Sequence, residues 1–233
     1  MVPTRSITPL LALACALVLL VVACTREAAP LPVGDDLLQA AAAEMRGVSS
    51  VAFDLEVAGP LGDLAIQRAN GVLTREGDAS GAVTMDAAGT PVEYEVVISG
   101  GQVYLKGPTA DFRALPSAFS DSVYNPAKLL NPSGGLAEVL NRTGNARTEA
   151  AEAVAGAQAY RVSATIDAQA LEGLLPVQLE EGEVPATLWI GQDRPVLLRA
   201  RLAPTLQGED EPTTMTVTLS DFNATVDITP PPT

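Results

Sequence analysis

The clearest periodicity in this chain has a step of two. In Val51–Val57, VAFDLEV, the residues Val51, Phe53, Leu55 and Val57 alternate with Ala52, Asp54 and Glu56. Successive side chains of a strand point to opposite faces, so this segment predicts a strand with one dry and one wet face. Val92–Ser99 repeats the pattern, with Val92, Tyr94, Val96 and Ile98 against Glu93, Glu95, Val97 and Ser99. Thr214–Leu219 does so again, with Met215, Val217 and Leu219 against Thr216 and Thr218. Gly100-Gly101 predicts a two-residue hairpin that returns the chain into Gln102–Lys106. Further strands are expected at Leu64–Thr74, Ala82–Asp86, Ala157–Ile166, Ala186–Ile190, Val196–Leu202 and Ala224–Ile228, with a turn at Glu76-Gly77-Asp78.

Helical spacing is rarer. Asp35–Arg46 carries Leu37, Leu38, Ala41, Ala42 and Met45 on one stripe, with Asp35 or Asp36 as N-cap and Gly47 as terminator. Phe112–Thr143 is broken by Pro116, Pro126 and Pro132. It predicts short helices near Pro116–Ser122 and Pro126–Leu130, and a firmer one over Pro132–Asn141 capped by Asn131 or Ser133. In that helix Leu136, Val139 and Leu140 form the apolar face. Asp167–Leu175 is a last helix, with Asp167 as N-cap. Hairpin-linked strands with grouped helices argue an α+β fold built on a large antiparallel sheet. The helices are few and Pro-broken, which leaves two arrangements open: an ordinary packed core, or a curved sheet over helices enclosing an apolar cavity.

The N-terminus follows another logic. One positive charge, Arg5, precedes an apolar run from Leu10 to Ala23, 14 residues long. A membrane-spanning helix needs about 20. This length fits the apolar region of an export signal. Val21-Val22-Ala23-Cys24 then resembles a bacterial lipobox, in which the cysteine thiol is acylated and the chain is cut before it. Residues 1–23 are therefore expected to be a lipoprotein signal peptide. Lipidated Cys24 opens a tether over 24–34, a domain follows over 35–229, and 230–233 form a Pro-rich tail. Cys15 is read as a small apolar residue discarded with the signal.

Composition narrows the chemistry. The 233 residues carry a net charge of −14, which repels nucleic-acid backbones and gives no polybasic attraction to anionic lipid. Histidine is absent, which removes histidine triads and histidine metal sites. Both cysteines lie in the first 24 residues, so no disulfide or zinc cluster holds the rest. Glu180-Glu181-Gly182-Glu183 and Gly208-Glu209-Asp210-Glu211 read as solvated acidic loops. No catalytic residue, metal or cofactor is expected. Aromatics make up only 4%, and Trp189 is the single tryptophan.

Four segments, in order behind the lipobox, carry a resemblance. They are Tyr124-Asn125-Pro126, Leu130-Asn131-Pro132 followed by Gly135-Leu136, Val184–Ile190 (VPATLWI), and Thr229-Pro230-Pro231. Together the chain resembles the mycobacterial-type LppX/LprA/LprF/LprG lipoproteins, LprG most of all. The resemblance implies a half-barrel sheet wrapped over helices, similar to the carriers LolA and LolB, with a large apolar cavity for acyl chains. It implies a non-enzymatic carrier of acylated glycolipids or other long-chain lipids toward the outer envelope. That carrier would be anchored by Cys24 to the outer face of the cell membrane, alongside an inner-membrane transporter. The strand residues expected to line such a cavity are Phe53, Leu55, Val57, Val92, Tyr94, Val96, Ile98, Val103, Leu105, Leu188, Ile190, Leu198, Met215, Val217 and Leu219. Phe112, Leu115, Phe119, Leu129, Leu130, Leu136 and Leu140 would line it from the helical side. The rival expectations are a structural or interaction lipoprotein of the envelope with a solid core and no ligand, and a lipid-modifying enzyme.

Overall fold

A computed structural model describes residues 30–61, 65–116, 125–175 and 177–233. The signal segment, Cys24, Phe119 and Tyr124, together with most of the helix expected near Pro116–Ser122, lie outside these residues. From Leu31 to Thr233 the chain packs as one compact unit.

Among the described residues, eleven antiparallel strands form one open, curved sheet, a half-barrel. In chain order they are β1 (Ser50–Ala58), β2 (Ile66–Thr74), β3 (Ala79–Ala87), β4 (Thr90–Ser99), β5 (Gln102–Lys106) and β6 (Arg113–Ala114). They continue as β7 (Gly144–Val154), β8 (Ala157–Asp167), β9 (Glu183–Gly191), β10 (Leu197–Leu202) and β11 (Thr214–Ser220). Their order across the sheet is β6-β5-β4-β3-β2-β1-β11-β10-β9-β8-β7. Two meanders, β1–β6 and β7–β11, are thus fused where the first strand meets the last. In that ladder Phe53 faces Leu219, Leu55 faces Val217 and Val57 faces Met215, so the dry faces of both meanders run together. Gly100 and Gly101, both at positive φ, make the expected hairpin.

Helix α1 (Gly34–Met45) buries Leu38, Ala41, Ala42 and Met45. Its N-cap is Val33, with no side-chain cap. Asp35 and Asp36 instead sit in the first turn, where their charge complements the positive helix end by about 0.3–1 kcal/mol. Gly34, expected in the tether, begins the helix and is buried against the backbone of Ala146 at the β7 edge. Helix α2 (Leu136–Arg142) starts later than expected. Asn131 closes a turn by accepting from the Ser133 N–H at 2.9 Å, and Gly135 is the N-cap. Leu129, Leu130 and the 3-10 turn Pro126–Lys128 precede it. Helix α3 (Ala168–Leu171) is capped as expected, Asp167 accepting from the Gln169 N–H at 3.0 Å. It stops short of Leu175, and Gly173 follows at φ +71.

Two strand expectations change. Gly144–Val154, with no strand expected, forms the edge strand β7. Its Ala- and Glu-rich sequence carries no strand signal, and two register shifts against β8 blur the alternation. Ala224–Ile228 is not a strand. Asp221 and Asn223 adopt positive φ and turn the chain off the sheet. The tail then crosses the strand ends as a strap. Ser49 donates to Asn223 Oδ1 at 2.7 Å, Ser50 Oγ donates to the Ala224 carbonyl at 2.6 Å, and Ser99 Oγ donates to the Ile228 carbonyl at 3.2 Å.

Gly71 and Gly81 face each other across β2 and β3. A Cβ on Gly71 would lie 2.8 Å from the Gly81 Cα and closer still to the Ser80 carbonyl oxygen. The two backbones approach too closely for any side chain there. Gly71→Ala is expected to destabilise the fold by about 1–3 kcal/mol through overpacking. Urea denaturation checks this, with Gly134→Ala as the control, since nothing lies within 4 Å of a Cβ at that position.

Candidate functional site: the inner face of the sheet

The registers place one continuous inner face across the sheet. Leu105, Val96, Gly81, Gly71, Phe53 and Leu219 lie in one row from β5 to β11. Tyr94, Val83, Ala69, Leu55, Val217, Ala200, Leu188 and Val162 make the next row, from β4 to β8.

Among the described residues, the helices do not cover that face evenly. The main helical packing is of α1 on β7 and β9, of α2 and α3 on β8, and of α1 on α2. Beneath this cover the inner face is solid: Val162 and Ile190 are 0% exposed and Leu188 is 2% exposed. Nine of the expected lining residues are fully buried: Ile98, Val103, Leu130, Leu140, Leu188, Ile190, Leu198, Met215 and Leu219. All but Ile98 and Val103 belong to the main core. At the junction of the meanders burial weakens. Phe53, Leu55, Val57 and Val217 are half-buried and touch the core from one side, as do Leu129 and Leu136. Farther out, Val92, Tyr94, Val96 and Leu105 are half-buried and stand apart from that core, and Leu115 is half-buried too. Phe112 sits at the sheet edge beneath Lys106, whose Nζ is 5.5 Å from the ring centroid. Lys106 pairs with Glu95 at 2.7 Å.

Sequence reasoning missed the contributions of β2 and β3 to this face, namely Ile66, Ala69, Val83 and Met85. Ala69 and Val83 belong to the second row and Ile66 and Met85 form a third with Val92, but Ala and Gly interrupt the alternation of both strands. Val83 and Met85, alternating with Thr84 and Asp86, were the legible part of the signal.

The outer face is polar. The row Arg161, Trp189, Arg199, Thr218, Asp54 and Asn70 crosses it from β8 to β2. Trp189 Nε1 donates to Glu152 at 2.6 Å, and the Arg199 guanidinium lies 5.8 Å from the indole ring. Ion pairs here are surface pairs worth less than about 1 kcal/mol each. Glu180 and Glu181 are exposed, in keeping with a solvated loop. Among the described residues no cluster of three potential metal ligands occurs, and no helix is long and apolar enough to cross a membrane.

The result is a half-barrel whose inner face is packed under helices at β7–β9, buried along the row Val51, Leu73, Ile98 and Val103, and half-buried over Val92, Tyr94, Val96 and Leu105. The chain belongs to the LppX_LprAFG lipoprotein family, whose model matches residues 34–228. It is 32% identical over 206 residues to the lipoarabinomannan carrier protein LprG of Mycolicibacterium smegmatis, covering 87% of this chain and 85% of that one. It is 30% identical to LprG of Mycolicibacterium hassiacum, covering 97% of both chains. Among solved structures, LprF from Mycobacterium bovis matches with a TM-score of 0.73 at 22% identity, over 85% of this chain and 96% of that one. LppX from Mycobacterium tuberculosis matches with a TM-score of 0.61 at 20% identity, over 84% and 97%.

The burial gradient has a thermodynamic signature. Leu188→Ala empties a packed site and is expected to cost about 2–5 kcal/mol. Leu55→Ala, on the half-buried stretch, is expected to cost about half as much or less, because part of its side chain never left water. Equilibrium urea unfolding of the two variants reads the difference.

Proposed function

We propose that the protein is a lipid-binding carrier that lays acyl chains of a glycolipid along the half-buried part of the inner face of β1–β5, beside the buried row Val51, Leu73, Ile98 and Val103, and moves them toward the outer envelope. The observation that carries this is the uneven cover of one continuous apolar face. A solid core would have buried Val92, Tyr94, Val96 and Leu105 as completely as it buries Leu188 and Ile190. The relatives named lipoarabinomannan carriers support the reading and suggest an acylated glycolipid as cargo.

The energetic demand is large. An acyl chain of about 16 methylenes gains roughly 13 kcal/mol on leaving water, at ~0.8 kcal/mol per methylene. A carrier has to match that dryness, so the lipid must be enclosed on most sides. The inner face supplies one wall, with the helical-side residues Leu129 and Leu136 as the opposing candidates; Leu115, expected on the helical side, instead continues the sheet edge after β6, its N–H donating to the Val103 carbonyl at 2.8 Å. Phe119 belongs to the same proposal. Residues 1–23 are the export signal in this reading. Cys24 carries the diacylglycerol anchor, 24–33 form the tether, and an inner-membrane transporter delivers the cargo.

Two outcomes check this. Val96 is half-buried and lies between the side-chain-free Gly81 on β3 and Leu105 on β5, so Val96→Trp places its ring over the inner face. It is expected to lower the lipid recovered by organic extraction and mass spectrometry at least several-fold, with an unchanged circular dichroism spectrum. Lipid-free wild-type protein, purified without detergent, would instead favour the structural lipoprotein with no ligand. Separately, Cys24→Ser is expected to move the protein from the membrane to the soluble fraction and to end incorporation of labelled fatty acid. Retained label would place the anchor elsewhere.

A further inference from the structure

The outer face carries a second feature that the acyl-binding reading does not use. A cleft of about 530 Å³ opens where β11, β1, β2 and β3 run side by side. Its floor is one register row: Thr216 faces Glu56, Glu56 faces Arg68, and Arg68 faces Thr84. Neighbouring strands lie about 4.8 Å apart, so this row spans roughly 14 Å, the reach of a short oligosaccharide. Thr214 borders the row opposite Ala58, whose methyl group leaves the hollow open. A register shift between Ile66 and Arg68 inserts Gln67 as an extra residue and turns it to the cleft wall.

The chemistry of this wall is specific. Among the described residues, the hydroxyls of Thr84, Thr214 and Thr216 make no hydrogen bond or other polar contact with the protein. Each can donate one hydrogen bond and accept two. The Gln67 amide, whose Nε2 donates to Asp86 at 3.4 Å, adds a further donor and an acceptor, and Glu56 and Arg68 pair at 2.5 Å. Because that pair cancels its own charge, the lining offers many hydrogen bonds, with the Asp86 carboxylate bonded to Gln67 as a further acceptor beside it. A phosphate would have to compete with the Glu56 carboxylate for Arg68, in a chain of net charge −14. A neutral, hydroxyl-rich ligand matches every group.

We propose that this cleft binds the neutral glycan head of the lipid whose acyl chains lie on the inner face. The inference rests on the acyl-binding reading above and adds a second site to it. The cleft lies at the end of β1, where Ala58 and Thr214 close the ladder and Leu61 and Thr213 are buried. Val57 borders the cleft, while its partner Met215 belongs to the inner face. On this proposal a glycolipid keeps its tails inside and passes its head around the turn that follows β1. Glycan contacts on the outer face let the carrier distinguish a glycolipid from a plain fatty acid or triglyceride, which the apolar face alone does not.

The test uses the Cys24→Ser chain and two probes. Lipid-free arabinomannan oligosaccharide is followed by saturation-transfer NMR, and an anthroyl-labelled fatty acid by fluorescence. The comparison is the doubly substituted Thr84→Val, Thr216→Val chain, isosteric and well suited to strands, with its fold checked by circular dichroism. The expected result is glycan binding weakened at least tenfold and fatty-acid binding unchanged. If the unsubstituted chain binds fatty acid but not the glycan, or the doubly substituted chain binds glycan equally well, the head-group site is overturned and the acyl reading stands. If glycan binds in a threonine-dependent way but fatty acid does not bind at all, the cleft stands and the acyl reading falls. If neither probe binds, both fall.

Discussion

The ladder between β1 and β11 holds the architecture together. It pairs Ala52 through Ala58 with Ser220 through Thr214, nearly the whole length of both strands. Without it the chain is two separate meanders, each with an open edge and an apolar face of its own. With it, the two faces become a single surface on which Phe53 and Leu219, or Leu55 and Val217, lie directly opposite one another. The entropic cost of closing so long a loop grows only logarithmically with its length, so the ladder is tolerable in stability even though it joins the extremes of the domain.

The same junction divides the molecule into two kinds of interior. On the β7–β11 side, helices α1, α2 and α3 supply the second layer that any sheet needs for its dry face. On the β1–β6 side, among the described residues, the main contact from a helical element is that of the 3-10 turn Pro126–Lys128 with β2. The residues there are mostly light: Val, Ala and Gly on β2, β3 and β4, with Tyr94 as the one large ring among them. The imbalance is one of cover rather than of pattern, since the alternation of β4 is as clean as that of β11. On the acyl-binding reading, hydrocarbon from the ligand supplies the missing layer, and occupancy then adds to the stability of the folded state.

Much of this was readable from the sequence wherever alternation was strong and turns were marked. β1, β4 and β11 declare both faces, and Gly100-Gly101 fixes the register of β5. What was hidden has physical reasons. β7 is Ala- and Glu-rich, and its alternation shifts at two irregularities, so it carries no strand signature. Ala224–Ile228 alternates convincingly, yet β1 and β11 already pair with each other and the positive φ of Asp221 and Asn223 diverts the chain. The close approach of Gly71 to Gly81 is a tertiary fact with no local trace. The inner face was identified residue by residue, but its division into a packed and a half-covered part depends on where three short helices dock. That docking is decided by long-range contacts, which periodicity does not encode. The threonine row of the cleft was equally invisible, because it assembles from four strands.

The strap formed by the tail has one more implication. A chain that emerges from its N-terminus offers β1 to its surroundings long before Thr214–Ser220 has been made. β2 can satisfy one side of β1 at once, but the other side waits for the final strand, and an unpaired edge invites pairing with foreign chains. Asp54 and Glu56 on that strand discourage such pairing between nascent copies. Once β11 arrives, Asn223 and Ala224 clasp Ser49 and Ser50 at the root of β1. A segment that follows all eleven strands in the chain thus latches the first of them in place.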